Sequence, residues 1–347
     1  MRKIKTALLS YGMSGKVFHA PFIHLHPQFE LVGCWERSKK SIQEKYPYTK
    51  SFQSFEEILD DSSIELVVVN TPTYTHFDYA SKALLANKHV VVEKAFTTSV
   101  AEAVTLKQLA AQQNKIISVY QNRRWDSDFK TVKQIIDSKV LGTINEMEIH
   151  FDRFRIELSS KQHKEAANSG AGIVKDLGPH LIDQALVLFG MPQHIFADIR
   201  ITRPHSVIDD YFDILLYYPT SRVRLKSGYI VKQALPAYIV HGTKGSFIKS
   251  RADVQEADLQ KGLLPNTNNW GTEPADEAGI LVTDDNGKTV KQTIETLQGN
   301  YLAYYNNMYE AITQHTTPAV TADDGINVMK LIEAAFKSNE DKKVITL

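Results

Sequence analysis

IKTALLSYGMSG, residues 4–15, is the stretch that decides the fold. Residues 4–9 form an apolar run of strand length that leads straight into S-Y-G-M-S-G, residues 10–15, and then a helix-compatible segment. This is the G-x-G-x-x-G pattern with Ser10 in place of its first glycine. Gly12 would let backbone approach a pyrophosphate, and Gly15 would let helix and strand pack closely. Met13 and Ser14 stand at the helix start, where N–H groups and the positive end of the dipole favour phosphate. Turn glycines serve a ligand-free loop equally well, so the surroundings have to decide.

Further apolar runs follow at residues 31–35, 66–69, 89–92 and 116–119. Amphipathic helical stretches separate them at residues 54–59, 75–86 and 99–113. Continuous apolar strands alternating with helices imply a parallel sheet covered on both faces. Ligands of such sheets bind at the carboxyl ends of the strands. There lie residues 10–15, residues 36–39, Asn70, Thr71, Pro72, Glu93, Lys94 and residues 120–124. Glu36 could hydrogen-bond an adenosine ribose, which favours NAD. Arg37, Ser38, Lys39 and Lys40 follow at once, and such groups suit a 2′-phosphate. The expected cofactor is NADP, with NAD the alternative, while Lys39 and Lys40 also fit a solvated helix start.

After Trp125 the pattern changes. A linking helix over residues 126–138 precedes Met147, Ile149 and Phe151, which alternate with Glu148, His150 and Asp152 as in a strand with one solvated face. More strands are expected at residues 195–202, 211–218, 223–231 and 238–241, the last turning through Gly242 and Gly245 to Phe247 and Ile248. Runs of strands without regular intervening helices indicate an antiparallel sheet. Residues 253–279, polar and rich in Gly, Pro and Asn around Trp270, read as a long loop able to fold over a cleft, and helices close the chain near residues 301–314 and 325–337. The expected fold is α/β: an N-terminal Rossmann domain with a parallel sheet over residues 1–121, then an α+β domain with a large, mostly antiparallel open sheet over residues 122–347, for substrate binding and oligomerisation.

The densest chemistry lies in GAGIVKDLGPHLIDQALVLFG, residues 170–190. Pro179 belongs in the first turn of a helix, so one is expected to begin near Asp176. At helical spacing Asp176, His180, Asp183 and Gln184 share a stripe, opposite Leu177, Leu181, Ile182, Ala185, Leu188 and Phe189. Asp176 also fits an N-cap, and His180 a surface histidine.

Composition narrows the partners. Across 347 residues, 40 basic side chains balance 40 acidic ones, so no net field favours nucleic acid or an anionic membrane. The single cysteine, Cys34, excludes an intramolecular disulfide and suits a reducing cytoplasm. The start, MRKIKTALLSYG, has too short an apolar run for a signal peptide, and no apolar run is long enough to span a bilayer. The expectation is a cytoplasmic protein acting on a small molecule, with neither nucleic acid nor membrane as partner.

Five segments carry a family resemblance: the glycine loop with KVFHAP (residues 16–21), ELVVVNTPTYTH (65–76), KHVVVEKA (88–95), SVYQNRRWDSDF (118–129) and KDLGPHLIDQALVLFG (175–190). With them the whole chain resembles the Gfo/Idh/MocA oxidoreductases, and within that family the NADP-dependent scyllo-inositol dehydrogenases. The family's E-K-P appears here as Glu93-Lys94-Ala95. The resemblance implies that Lys94 acts with Asp176 and His180, spaced D-x-x-x-H, and that Asp183 is a further acidic position of the motif. It also implies that Asn122 and Arg123 lie close to nicotinamide and substrate, and that His76 and Glu93 join the cofactor-binding set. His180 would serve as base, Asp176 as its orienting carboxylate and Lys94 as stabiliser of the alkoxide. The implied substrate is a cyclic polyol or sugar, scyllo-inositol or its 2-keto form first, with Arg123, Asp183, Arg153 and Arg155 as polar partners. Another sugar or diol, or a non-catalytic NADP-binding regulator, stays open. So does metal-assisted hydrolysis, although no His-rich or Cys-rich third ligand is evident and no metal is expected. Fold analogy implies a homo-oligomer, dimer or tetramer.

Overall fold

The structure, a computed structural model, describes residues 2–36, 39–159, 165 and 170–347. The chain divides into two compact units: Met1–Asn122 with Gln255–Trp270 and Asn300–Ile326, and Arg123–Val254 with Gly271–Gly299 and Asn327–Leu347.

The first unit is built on strands β1 (Ile4–Leu8), β2 (Phe29–Trp35), β3 (Lys50–Phe52), β4 (Leu66–Val69), β5 (His89–Val92) and β6 (Ile117–Val119). All pairs are parallel, in the order β3-β2-β1-β4-β5-β6. This is the Rossmann order, and the direction of winding reverses between β1 and β4. β4, Leu-Val-Val-Val, has no exposed residue. A strand with no polar alternation is stable only where both faces are covered. The helix Val100–Gln112 begins where Ser99 accepts the Glu102 N–H (3.3 Å) while the Glu102 carboxylate reaches back to the Thr98 N–H (2.9 Å).

Two differences from expectation concern β3 and residues 253–279, of which Gln255–Trp270 belong to this unit. β3 went unread because three residues at a sheet edge make no apolar run. Residues 253–279 are not one loop, since they contain the helix Gln255–Gln260 and the turn Ala275–Glu277. Trp270 is buried and donates Nε1–H to Gln255 Oε1 (3.2 Å), which also accepts the Tyr301 N–H (2.8 Å). The helix Leu302–Gln314 then adds Tyr304 and Tyr305 to an aromatic core with Phe22, Phe29 and Tyr120.

The second unit carries β7 (Ile144–His150), β8 (His194–Arg200), β9 (Tyr211–Tyr217), β10 (Arg222–Gly228), β11 (Tyr238–Gly242), β12 (Gly245–Lys249), β13 (Gly279–Asp285), β14 (Lys288–Ile294) and β15 (Ile345–Thr346). They form one nine-stranded sheet, β14-β13-β12-β11-β7-β10-β9-β8-β15, antiparallel except where β7 meets β10. Alternation along β8, β9 and most of β10 buries Ile195, Ala197, Phe212, Ile214, Leu216, Val223 and Leu225 on one face. Burial of each of these side chains larger than alanine stabilises by roughly 1.5–3 kcal/mol. The helices Ser127–Asp137 and Gly178–Phe189 pack on this sheet.

Here too the pattern misled in places. His150, expected on a solvated face, is 2% exposed and held between Glu148 (2.8 Å) and Asp152 (3.4 Å). Burial works against its protonation, but the two carboxylates outweigh it and the imidazole titrates above its ordinary value. The β13–β14 hairpin was missed because β14 is largely exposed and has no apolar alternation. Its turn was the available signal, since Asn286 and Gly287 both adopt positive φ (51° and 81°) as a two-residue hairpin turn requires.

Candidate functional site

In the first unit the glycine loop bridges β1 and the helical turn Gly15–His19. Ser10 compensates for the missing glycine, because its hydroxyl accepts the Gly12 N–H (3.1 Å) and braces the loop from within. Asn70, at the end of β4, pairs with Ser10 in both directions: its Oδ1 accepts the Ser10 N–H (3.0 Å) and its Nδ2 donates to the Ser10 carbonyl (2.8 Å). A Cβ on Gly15 would meet the Ser10 carbonyl oxygen at 2.3 Å, so this close approach of helix to strand admits only glycine. Ser14 accepts from Asn70 Nδ2 (3.4 Å).

A pocket of about 510 Å³ opens in front of the loop. Of the expected residues, Ser10, Tyr11, Gly12, Met13, Glu36, Thr71 and Pro72 line it, and Lys39 joins them from the segment that follows β2. Lys16, Trp35, Ser41, Thr75 and Tyr79 also line it and were missed from sequence. The available signals were Lys16 beside the last loop glycine and Trp35 at the strand end. Trp35 stacks on Phe55 (centroids 6.1 Å) and meets the Tyr79 ring edge-on (5.6 Å), which makes one wall aromatic. Burial, then the charges of Cys34, Glu36 and Glu44, push the Tyr11 phenol up to about 12, so it stays protonated beside Lys16. A loop without side chains at Gly12 and Gly15, an aromatic wall, hydroxyls and two lysines fit the phosphates and adenine of a nicotinamide dinucleotide.

Glu36 does not have the free carboxylate that its position suggests. Its Oε1 accepts the Ser41 N–H (3.1 Å) and hydroxyl (2.7 Å), and its Oε2 accepts the Ile42 N–H (3.2 Å). These are the opening N–H groups of the helix Ser41–Lys45, so Glu36 caps that helix. Arg37 and Ser38 lie outside the described residues. His76 is fully buried, its ring nitrogens 2.9 Å from the Ala95 and Thr71 carbonyls, and burial lowers its pKa. It ties the segments that follow β4 and β5 together. Glu93 directly follows β5, with Lys94 next to it and partly exposed.

In the second unit the stripe bearing Asp176 and His180 is not one helix. Ile173–Asp176 forms a short helical segment, and Gly178–Phe189 begins after Leu177 with Pro179 in its first turn. Asp209 fixes the first segment, since its backbone carbonyl accepts the Ile173 N–H and its Oδ2 the Val174 N–H, both at 2.8 Å. Nor is the polar stripe solvated: His180, Asp183 and Gln184 are all buried. Both Asp183 oxygens are bound by Arg124, Oδ2 by Nε (2.8 Å) and Oδ1 by Nη2 (2.6 Å). Gln184 donates to the Arg123 carbonyl (3.3 Å) and accepts from the Tyr238 hydroxyl (3.2 Å). Asn122 is buried, and Arg123 pairs with Asp126 (3.2 Å). Arg123, Arg153 and Arg251 gather around the Phe151 ring at 4.9, 5.1 and 4.3 Å. Arg251 was missed from sequence, whereas Arg155 is exposed.

Two family models match the chain: the oxidoreductase family's NAD-binding Rossmann fold over residues 4–121, and the same family's C-terminal alpha/beta domain over residues 133–347. The chain belongs to the Gfo/Idh/MocA oxidoreductase family. Among family members, the scyllo-inositol 2-dehydrogenase (NADP(+)) IolW of Bacillus subtilis is 36% identical over 99% of this chain and 96% of that protein. The oxidoreductase C115.03 of Schizosaccharomyces pombe is 39% identical over the full length of both. An oxidoreductase from Bacillus cereus of known structure superposes with a TM-score of 0.92 at 30% identity, covering 99% of each chain. The first unit's pocket is therefore in the family's NAD-binding fold. Among the described residues, no helix is long and apolar enough to cross a membrane.

Proposed function

We propose that this family member is an NADP-dependent dehydrogenase that oxidises a secondary alcohol of a cyclic polyol or sugar, with scyllo-inositol and its 2-keto form the first pair to test. The observation that carries the cofactor choice is the capping role of Glu36. With three of its acceptor sites taken by the Ser41 N–H and hydroxyl and the Ile42 N–H, Glu36 has less to offer a ribose diol, while Lys39 and Ser41 line the pocket beside it. That chemistry suits a 2′-phosphate, to which Arg37 and Ser38 would add a guanidinium and a hydroxyl. The substrate class rests on the similarity to IolW over nearly the whole chain.

In this scheme residues 1–121 hold the cofactor and residues 122–347 the substrate. When bound, NADP would supply the hydride acceptor for the oxidation, and its reduced form the hydride donor for the reverse reaction. His180 takes the hydroxyl proton, a role imidazole suits because it titrates near neutral pH. Asp176 orients His180 and stabilises the imidazolium. Lys94 stabilises the developing alkoxide through its ammonium group. Arg123 and Arg153 contact substrate hydroxyls, and Arg155 would do so from an exposed position. Asp183, held by Arg124, shapes the wall of the substrate site.

The test is a screen of inositols, aldoses and their keto forms with NADP and with NAD, followed at the reduced-nicotinamide absorbance. Oxidation of a ring polyol with NADP preferred is the expected result. Turnover confined to straight-chain alcohols or simple diols would overturn the substrate, and NAD preference would overturn the cofactor.

A further inference from the structure

We infer that His19 and Tyr305 are positioning residues that act through Glu93 on Lys94. The inference rests on the role proposed above for Lys94 and adds the machinery that sets its surroundings. His19 closes the helical turn that follows the glycine loop and is fully buried. Its Nε2 lies 2.9 Å from Glu93 Oε1 and its Nδ1 lies 2.7 Å from the Tyr305 hydroxyl. The other Glu93 oxygen, Oε2, accepts the backbone N–H of Lys94 (3.2 Å). A phenol, an imidazole and a carboxylate thus run in series from the helix Leu302–Gln314, through the glycine-loop turn, to the peptide of Lys94.

Packing alone does not account for this arrangement, because a buried imidazole and carboxylate cost more than apolar residues of similar shape unless their bonds are complete. Here they are complete. The titratable groups facing Glu93 are His19, Lys94 and His76; those facing His19 are Glu93, Tyr305 and Tyr120, whose ring lies 4.4 Å away. Burial would push the Glu93 carboxyl up, but the His19 hydrogen bond and the charges of His19, Lys94 and His76 outweigh it and hold it below its ordinary value. Burial, then Tyr120, Tyr304 and Glu93, keeps the Tyr305 phenol protonated, so it can meet Nδ1 as donor or acceptor. His19 therefore keeps Glu93 an anion, and the anion both holds the Lys94 peptide and attracts its ammonium. The same histidine stands one turn beyond the glycine loop, so the relay links the cofactor loop to Lys94.

The experiment uses the full-length protein with His19→Ala, Tyr305→Phe and Glu93→Gln. Infrared spectra at neutral pH read the charge of Glu93 without substrate or cofactor. Wild type should show Glu93 as carboxylate, and His19→Ala should show a protonated-carboxyl carbonyl band that disappears when Glu93→Gln is added. Kinetically, His19→Ala should lower kcat about 10- to 100-fold, the scale of a small misplacement of a reacting group, while NADP affinity stays within about threefold. Tyr305→Phe removes one oxygen and keeps the ring, so it should move both readouts the same way even if His19→Ala folds poorly. No carboxyl band in either His19→Ala or Tyr305→Phe, or a loss of NADP affinity that matches the loss in kcat, would overturn the relay. A band with no polyol turnover in wild type would uphold the relay and overturn the polyol oxidation.

Discussion

Replacing Glu36 with alanine should destabilise the first unit and leave the choice between NADP and NAD untouched. By position Glu36 ends a parallel strand beside a dinucleotide loop, where a ribose-binding acid is expected. The structure gives it other work, since three donors from Ser41 and Ile42 converge on its carboxylate at 2.7–3.2 Å. Losing a helix cap costs about 0.5–2 kcal/mol. A unit of this size shifts by about 2–4 °C per kcal/mol, so Tm should fall by about 1–8 °C. Loosening the helix start perturbs the pocket wall for both cofactors alike, and a change of about 1 kcal/mol is about fivefold in affinity. Thermal melting measures the first effect. Titration of NADP and NAD against the fluorescence of Trp35, which lines the pocket, measures the second. An unchanged Tm with NAD affinity lost about tenfold and NADP affinity intact would refute the reasoning and restore Glu36 to the ribose.

Lys39→Ala should raise the dissociation constant for NADP about tenfold or more and leave NAD nearly unchanged, as expected for one charge-assisted phosphate contact; parallel titrations check it. His180→Ala should cut kcat about 10²–10⁴-fold with little change in cofactor affinity, and retention of a tenth of wild-type turnover would make His180 a bystander. Arg124→Ala leaves the Asp183 carboxylate, 2% exposed, without its bidentate guanidinium. Urea denaturation should report a loss of about 3–5 kcal/mol, the usual cost of breaking a buried pair from one side. His89 accepts the Ile116 N–H at Nδ1 (3.0 Å), and burial, then Lys115, His315 and Arg2, lowers its pKa from 6.5 to about 4. Between those values the unfolded chain binds a proton that the folded chain refuses. Stability is therefore full above pH 6.5 and falls toward pH 4, by about 1.4 kcal/mol per pH unit at most. Denaturation at a series of pH values should show this slope flattened in His89→Gln.

The sequence by itself determined the parts of this protein that depend on local repetition. Continuous apolar runs at residues 66–69 and 89–92 coincide with β4 and β5, because a strand buried on both faces writes its environment into every residue. The loop glycines were legible for the same reason: Gly15 is required by an approach of two adjacent elements. Tertiary structure alone decided what each polar group is paired with. Glu36 became a helix cap, Asp183 an ion-pair partner and His150 a buried base between two acids. Short or exposed elements, β3 and β14, were likewise set by the strand beside them and not by their own pattern. His19 found Glu93 and Tyr305 across separations of 74 and 286 residues. Periodicity reports which face of an element is buried, whereas the partner of a buried charge is chosen by the packing of distant segments, and no local spacing encodes it.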